Sequence, residues 1–119
     1  MKYVFLSLPI NGKTAEEVKA AREKAKKEIQ SILYNESLEF INNWITEQPP
    51  YHLTGSKIGL WYLAKSLEKL VDADVIYCAK DWTNYRGCVI EKDAAKQYGI
   101  DVYTYSQYLM SQGLPSNNV

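Results

Sequence analysis

Histidine occurs once in the 119 residues, at His52, and cysteine twice, at Cys78 and Cys88. That scarcity argues against a multi-histidine metal centre, a Cys-His-Asp triad and a disulfide framework, because the two thiols lack any metal-type or CxxC spacing. Reduced, inert thiols and a cytoplasmic location are the expectation. Charge of one sign is missing as well: 14 basic and 14 acidic residues leave a formal net charge of zero. A broad nucleic-acid footprint or an anionic membrane surface is therefore not expected. The longest apolar runs are too short to cross a bilayer, and Met1 to Ile10 lacks a small-residue cleavage site, so it reads as a first strand and not a signal peptide. Neither GxGxxG nor GxxxxGK[ST] occurs, which disfavours dinucleotide and P-loop chemistry. Aromatics, in contrast, are plentiful, with 10 tyrosines and 3 tryptophans suited to stacking, core or interface.

The hydrophobic pattern alternates strand and helix. Lys2 to Leu8 reads as a buried strand closed by Pro9-Ile-Asn-Gly12. Thr14 and Glu17 form a capping box, opening a helix to about Leu33 with Val18, Ala21, Ala25, Ile29 and Ile32 on one face and a solvated, lysine-rich face opposite. Leu38 to Trp44 reads as a second strand or the start of a short helix, and Gln48-Pro-Pro-Tyr51 breaks regular structure. A helix follows from about Ser56, with Leu60, Leu63, Ala64, Leu67, Leu70 and Val71 at helical spacing. Asp74 to Ala79 is apolar and β-branched enough for a buried parallel strand, and Asp81 to Gly87 supplies turn residues. A helix-compatible run from near Gly87 ends at Gly99, Ile100 to Thr104 is a last strand, and Ser106 to Gln112 is a helical turn or two. Pro115 to Val119 reads as a frayed tail, with flexibility expected from about Gly113. The alternation predicts one α/β domain over 1–119: a small parallel sheet of about four to five strands between helices.

Ligands of open α/β sheets bind beyond the carboxyl ends of strands. Glu91 follows the strand at Asp74 to Ala79 and is expected in the first turn of the next helix, where the dipole favours an ionised carboxylate. An anionic, positioned glutamate is a candidate nucleophile or base. Asp81, on the preceding loop, is a candidate acid or sugar-hydroxyl ligand, with ordinary loop formation as its bland alternative. Ser7, Pro9, Asn11 and Gly12 are expected to line the pocket from the first loop. Arg86 and Gly87, ahead of the helix, could hold a phosphate, and Trp82 and Tyr85 could stack on a base. Asp74 reads as a structural residue at a strand start.

Three segments resemble the nucleoside 2-deoxyribosyltransferase-like superfamily, in particular its small bacterial and phage-type members. Tyr3-Val-Phe-Leu-Ser-Leu-Pro-Ile-Asn-Gly12 is similar to the opening strand and its (S/G)-P-I-(T/S)-G loop. Leu70-Val-Asp-Ala-Asp-Val-Ile-Tyr77 is similar to the helix end and "ADVVV" strand. Arg86-Gly-Cys-Val-Ile-Glu91 with Ala94-Ala-Lys-Gln-Tyr-Gly-Ile100 is similar to the G-x-x-x-E-x-x-x-A helix and its exit. The resemblance spans roughly residues 3 to 104 and implies a flavodoxin-like three-layer fold. It also implies cleavage or transfer at the N-glycosidic bond of a nucleoside or nucleotide, with no cofactor or metal, and a homodimer or higher homo-oligomer whose subunits complete the pockets. On this resemblance Glu91 stands at the nucleophile, attacking the anomeric carbon to form a glycosyl-enzyme resolved by water or a second base. Two positions depart from the pattern: Tyr85 replaces an aspartate ahead of the nucleophile, and Ser66 replaces an acid ahead of the Ala73-Asp74 pair. Ser66 is kept as a substrate-binding position, and Asp81 is the candidate to replace the missing acid. The competing expectations are a nucleotide-binding protein that lost the chemistry, and an interaction module whose aromatics form an interface.

Overall fold

A computed structural model describes residues 1–115, so the last four residues of the expected tail lie outside the described residues. Four strands, β1 (Lys2–Ser7), β2 (Leu38–Phe40), β3 (Val75–Cys78) and β4 (Asp101–Thr104), alternate with α1 (Ala15–Ile32), α2 (Ser56–Leu70), α3 (Arg86–Gln97) and α4 (Tyr105–Ser111). A short 3-10 turn covers Trp82–Asn84. The sheet is parallel throughout, in the order β2-β1-β3-β4. This is a flavodoxin-like α/β arrangement with four strands, the lower end of the expected number. The strand order reverses between β1 and β3, which leaves a crevice beyond their carboxyl ends.

Strand alternation divides the core into two layers. Val4, Leu6, Val75 and Tyr77 point to one face and pack with Ala25 and Ile29 of α1. Phe5, Ile76 and Cys78 point to the other and pack with Leu70 of α2 and Ala95 of α3. Because both faces are covered, β1 and β3 read as continuous apolar runs and are buried almost throughout.

Helix α1 begins where expected: Thr14 Oγ1 accepts from the Glu17 amide at 3.1 Å and Glu17 Oε1 accepts from the Thr14 amide at 2.9 Å. Helix α3 ends in a Schellman motif. Gly99, at φ +80°, occupies the left-handed position, and the Ile100 amide donates to the Ala95 carbonyl at 2.9 Å. Of Leu38 to Trp44, the stretch open to strand or helix, Leu38–Phe40 forms the strand β2 and the rest is irregular. Arg22 of α1 holds the irregular segment that follows β2, donating to the Ile41 carbonyl and the Asn43 side chain at 2.7 and 2.9 Å. Asp74 has the structural role expected of it, accepting from the Tyr3 amide at 2.8 Å.

Of the apolar residues at helical spacing in the α2 region, Leu67 and Leu70 pack on the core, whereas Leu60, Ala64 and Val71 are exposed. Apolar residues surround this helix on several sides, so spacing alone could not select the buried one. No helix among the described residues is long and apolar enough to cross a membrane.

Candidate active site

Glu91 sits on the inner side of α3, facing the crevice between β1 and β3. Ser7, the last residue of β1, shares the Phe5 side of the sheet and is 1% exposed. Its hydroxyl donates to Glu91 Oε1 at 2.7 Å. Ser66, in the fourth turn of α2, donates to Oε2 at 2.6 Å. Three elements distant in sequence thus converge on one carboxylate, which is only 8% exposed. Both oxygens are satisfied, so burial of this polar group is tolerated.

The placement of Glu91 differs from the sequence expectation. Helix α3 starts at Arg86, so Glu91 lies in the second turn and no acidic residue occupies the first. The helix dipole is felt mainly within the terminal turn. Its protonation is governed instead by burial, which pushes the carboxyl above its ordinary value, opposed by the Ser66 and Ser7 hydroxyls, which favour the ionised form. Arg86 and Gly87 are likewise the first residues of the helix and do not precede it; the N-cap is Tyr85.

The loops on either side frame the crevice. Pro9 is buried, whereas Asn11 and Gly12 are exposed, and Gly12 turns the chain at φ +80° ahead of α1. Lys13 extends from this loop to the ring of Tyr85, 5.9 Å from its centroid, linking the loop after β1 to the start of α3. The Arg86 guanidinium lies against the backbone of Gly59 in the first turn of α2, where a Cβ would come within 3.6 Å of Nη2. Lys13 and Arg86 therefore bring positive charge to the loops and helix starts around Glu91.

Two expected contributors have other surroundings. Asp81 is exposed, adopts a left-handed conformation at φ 69° and starts the 3-10 turn. Short polar aspartates tolerate that conformation better than most residues. Asp81 is not one of the hydrogen-bond partners of Glu91, which are the two serines. Trp82 packs against the Phe5–Ile76 layer with Lys92 over its ring at 5.7 Å, and its buried indole Nε1 has no hydrogen-bond partner among the described residues. Its ring is committed to the core, which leaves Tyr85, half-buried beside Lys13, as the aromatic nearer the crevice.

The thiols behave as buried apolar groups. Burial pushes Cys88 up to about 11 and Cys78 up to about 12. No cluster of three His, Cys, Asp or Glu side chains suited to a metal occurs among the described residues. Two shallow depressions lie elsewhere, one lined by Tyr3, Glu39, Phe40, Ile41 and Asp72 and the other along the outer side of α1. The Ser7–Glu91–Ser66 group lines neither.

Sequence reasoning missed two contributions. Lys13 is the one basic residue between β1 and α1, a signal that was available. On the opposite face of the sheet, the Tyr77 hydroxyl donates to Glu28 Oε1 at 2.8 Å, and Glu28 is 4% exposed with Oε2 unpartnered among the described residues. Tyr77 inside an apolar strand and Glu28 beside Ile29 on the α1 stripe were the clues, since a buried phenol needs a partner.

A carboxylate held by two hydroxyls at a strand-order reversal can attack an electrophilic carbon, stabilise a developing cation or exchange a proton. Comparison with protein-family models, with curated proteins and with solved structures yields no match.

Proposed function

We propose that this protein cleaves or transfers the N-glycosidic bond of a nucleoside or nucleotide, with Glu91 as the nucleophile. The observation that carries this reading is the buried carboxylate fixed by Ser7 and Ser66 at the carboxyl ends of β1 and β3. Departure of a base leaves positive charge on the sugar, and an adjacent carboxylate stabilises that charge before bonding to the anomeric carbon. The base leaves with the electron pair of the broken C–N bond, and water or an acceptor base then attacks the glycosyl-enzyme and restores the carboxylate. The serines orient both oxygens and prevent the side chain from rotating away from the sugar. Gly12, Asn11 and Pro9 shape one wall of the site, Tyr85 offers a stacking surface, and Lys13, Arg86 and the amides around Gly87 attract a 5′-phosphate. The resemblance of three segments to the nucleoside 2-deoxyribosyltransferase-like superfamily supports the same chemistry. A small cytoplasmic metabolite, not a nucleic-acid polymer, is the substrate.

The test is base release, followed by chromatography, from deoxynucleosides, deoxynucleotides, ribonucleotides and NAD. Wild type should release base from one class, and Glu91→Gln should lower that rate on the order of a thousandfold or more while remaining folded. Undiminished turnover in Glu91→Gln would remove Glu91 from the mechanism.

A second reading is favoured by the exposed position of Asp81 and by serines, not a second carboxylate, around Glu91. Retaining glycosidases pair two carboxyl groups about 5 Å apart. A nucleotide-binding protein without turnover would show saturable binding across the same panel and no base release.

A further inference from the structure

Glu28 and Glu91 are both buried carboxyls, but their charges are balanced differently. Lys24 and Lys80 favour ionised Glu28 through their positive charge. The groups that favour ionised Glu91 are the Ser66 and Ser7 hydroxyls, with no lysine or arginine among them. Glu91 also belongs to none of the ion pairs among the described residues. A carboxylate only 8% exposed calls for a counter-charge, because hydroxyl dipoles offset only part of its desolvation. A positively charged ligand meets that demand.

Proton donors for a leaving group are as scarce as cations. An uncharged nitrogen base leaves a sugar with a negative charge that a proton must neutralise, and glycosidases keep a second carboxyl about 5 Å away for that task. Neither hydrogen-bond partner of Glu91 is an acid, and both hydroxyls direct their hydrogens to its oxygens, at 2.7 and 2.6 Å. Acids on the loops and helix starts at the same end of the sheet are otherwise placed. Glu17 accepts from the Thr14 amide, which holds it below its ordinary value, and Glu47 pairs with Lys65 at 3.5 Å. Asp81 is exposed at the start of the 3-10 turn. Burial leaves Cys88 and Cys78, pushed up to about 11 and about 12, as poor acids.

We propose that the substrate is a cationic N-glycoside, a nucleotide whose sugar-bound nitrogen belongs to a positively charged ring such as a pyridinium or an N7-alkylated purine. This narrows the N-glycosidic reading and rests on it. Glu91 attacks C1′ as the C–N bond breaks, and the electron pair of that bond neutralises the ring, so the base departs uncharged and needs no proton. Water then attacks C1′ of the glycosyl ester, the carboxylate is released and one proton passes to solvent. The positive charge starts on the ring and crosses to the sugar in the transition state, facing Glu91 at both stages. At the rim, Lys13 beside Tyr85 and Arg86 beside Gly59 suit the phosphate of such a nucleotide. A ligand with a cationic ring and an anionic phosphate thus matches a buried anion surrounded by cations at its rim.

Base release from three nucleotides by the wild-type protein tests the assignment: nicotinamide mononucleotide, N7-methylguanosine 5′-monophosphate and guanosine 5′-monophosphate. At about pH 6, kcat/KM on at least one cationic member should exceed that on guanosine monophosphate by about a hundredfold or more, the usual contribution of a general acid that this site does not supply. The two cationic arms tell a pyridinium from an alkylated purine. A smaller preference, or faster release from guanosine monophosphate, would overturn the proposal and leave the N-glycosidic reading standing. Release from no member and from no nucleoside or nucleotide of the wider panel would overturn both. A pH series on the preferred cationic member supplies a readout separate from the intrinsic lability of its bond. There kcat/KM should rise as Glu91 ionises and show no descending limb, whereas a bell-shaped profile would reveal an acid on the protein and overturn the proposal.

Discussion

At the scale of single residues, the chemistry of Glu91 is set by an imbalance. Burial favours the protonated acid, while the Ser7 and Ser66 hydroxyls favour the carboxylate. A nucleophilic Glu91 must be ionised, so turnover should rise with pH and level off above the ordinary carboxylate range. Ser66→Ala removes one of the two donors and should move that inflection to higher pH, with the plateau less affected than the low-pH rate. A pH series of kcat/KM checks this, and an inflection that stays put or falls would show that Ser66 does not tune Glu91. The same variant should cost about 1–3 kcal/mol of stability, because Oε2 is left buried without a partner. Sequence supplied Glu91 and Ser66 as candidates but misjudged why the glutamate is there. Its position one turn deeper in α3 replaces a dipole argument with a desolvation argument.

At the scale of elements, the boundaries that local chemistry controls were legible in the chain. Thr14 and Glu17 open α1 as their spacing demands, and Gly99 closes α3. Thr14→Ala should lower stability by about 1 kcal/mol, read from the urea midpoint at unchanged m-value. A loss well outside the usual capping range would mean that Thr14 has a further role. Helix α2 is the contrasting case. It begins at Gly55 with no side-chain cap, and Leu70 is its one buried residue. Its periodicity placed it correctly along the chain, from Ser56, but left its orientation open because apolar residues occur around much of its circumference. Only the packing of Leu67 and Leu70, and the reach of Ser66 to Glu91, fixed which stripe faces inward.

At the scale of the whole molecule, a carboxyl group is buried on each side of the sheet: Glu28 beneath α1 and Glu91 beneath α3. Burial raises both above their ordinary value of 4.5; Tyr77, Lys24 and Lys80 oppose the rise at Glu28 and the two serines oppose it at Glu91. Tyr77 in turn is pushed up by burial and by Glu28, so its phenol stays protonated and remains a donor. The sign follows from proton linkage. When a carboxyl's folded value is raised, the folded state holds the proton more tightly, and stability is lost as pH climbs from about 4.5 through the folded value. Glu28→Gln keeps an acceptor for Tyr77 and removes the titration. It should match wild type near pH 4 and exceed it at pH 8, by urea midpoints across that range. A variant that matches wild type near pH 4 and falls below it at pH 8 would show that ionised Glu28 is stabilised by the nearby lysines after all.

The sequence by itself determined the order of elements, the parallel sheet and the two-sided burial of β1 and β3. Those properties follow from periodicity, turn chemistry and caps acting over a few residues. Tertiary structure alone decided that Ser7, Ser66 and Glu91 meet, that Asp81 stays outside their hydrogen bonds, and that Glu28 joins Tyr77. Ser7 and Glu91 are 84 positions apart and Tyr77 and Glu28 are 49. Contacts at such separations depend on strand order and helix rotation, which no local pattern encodes.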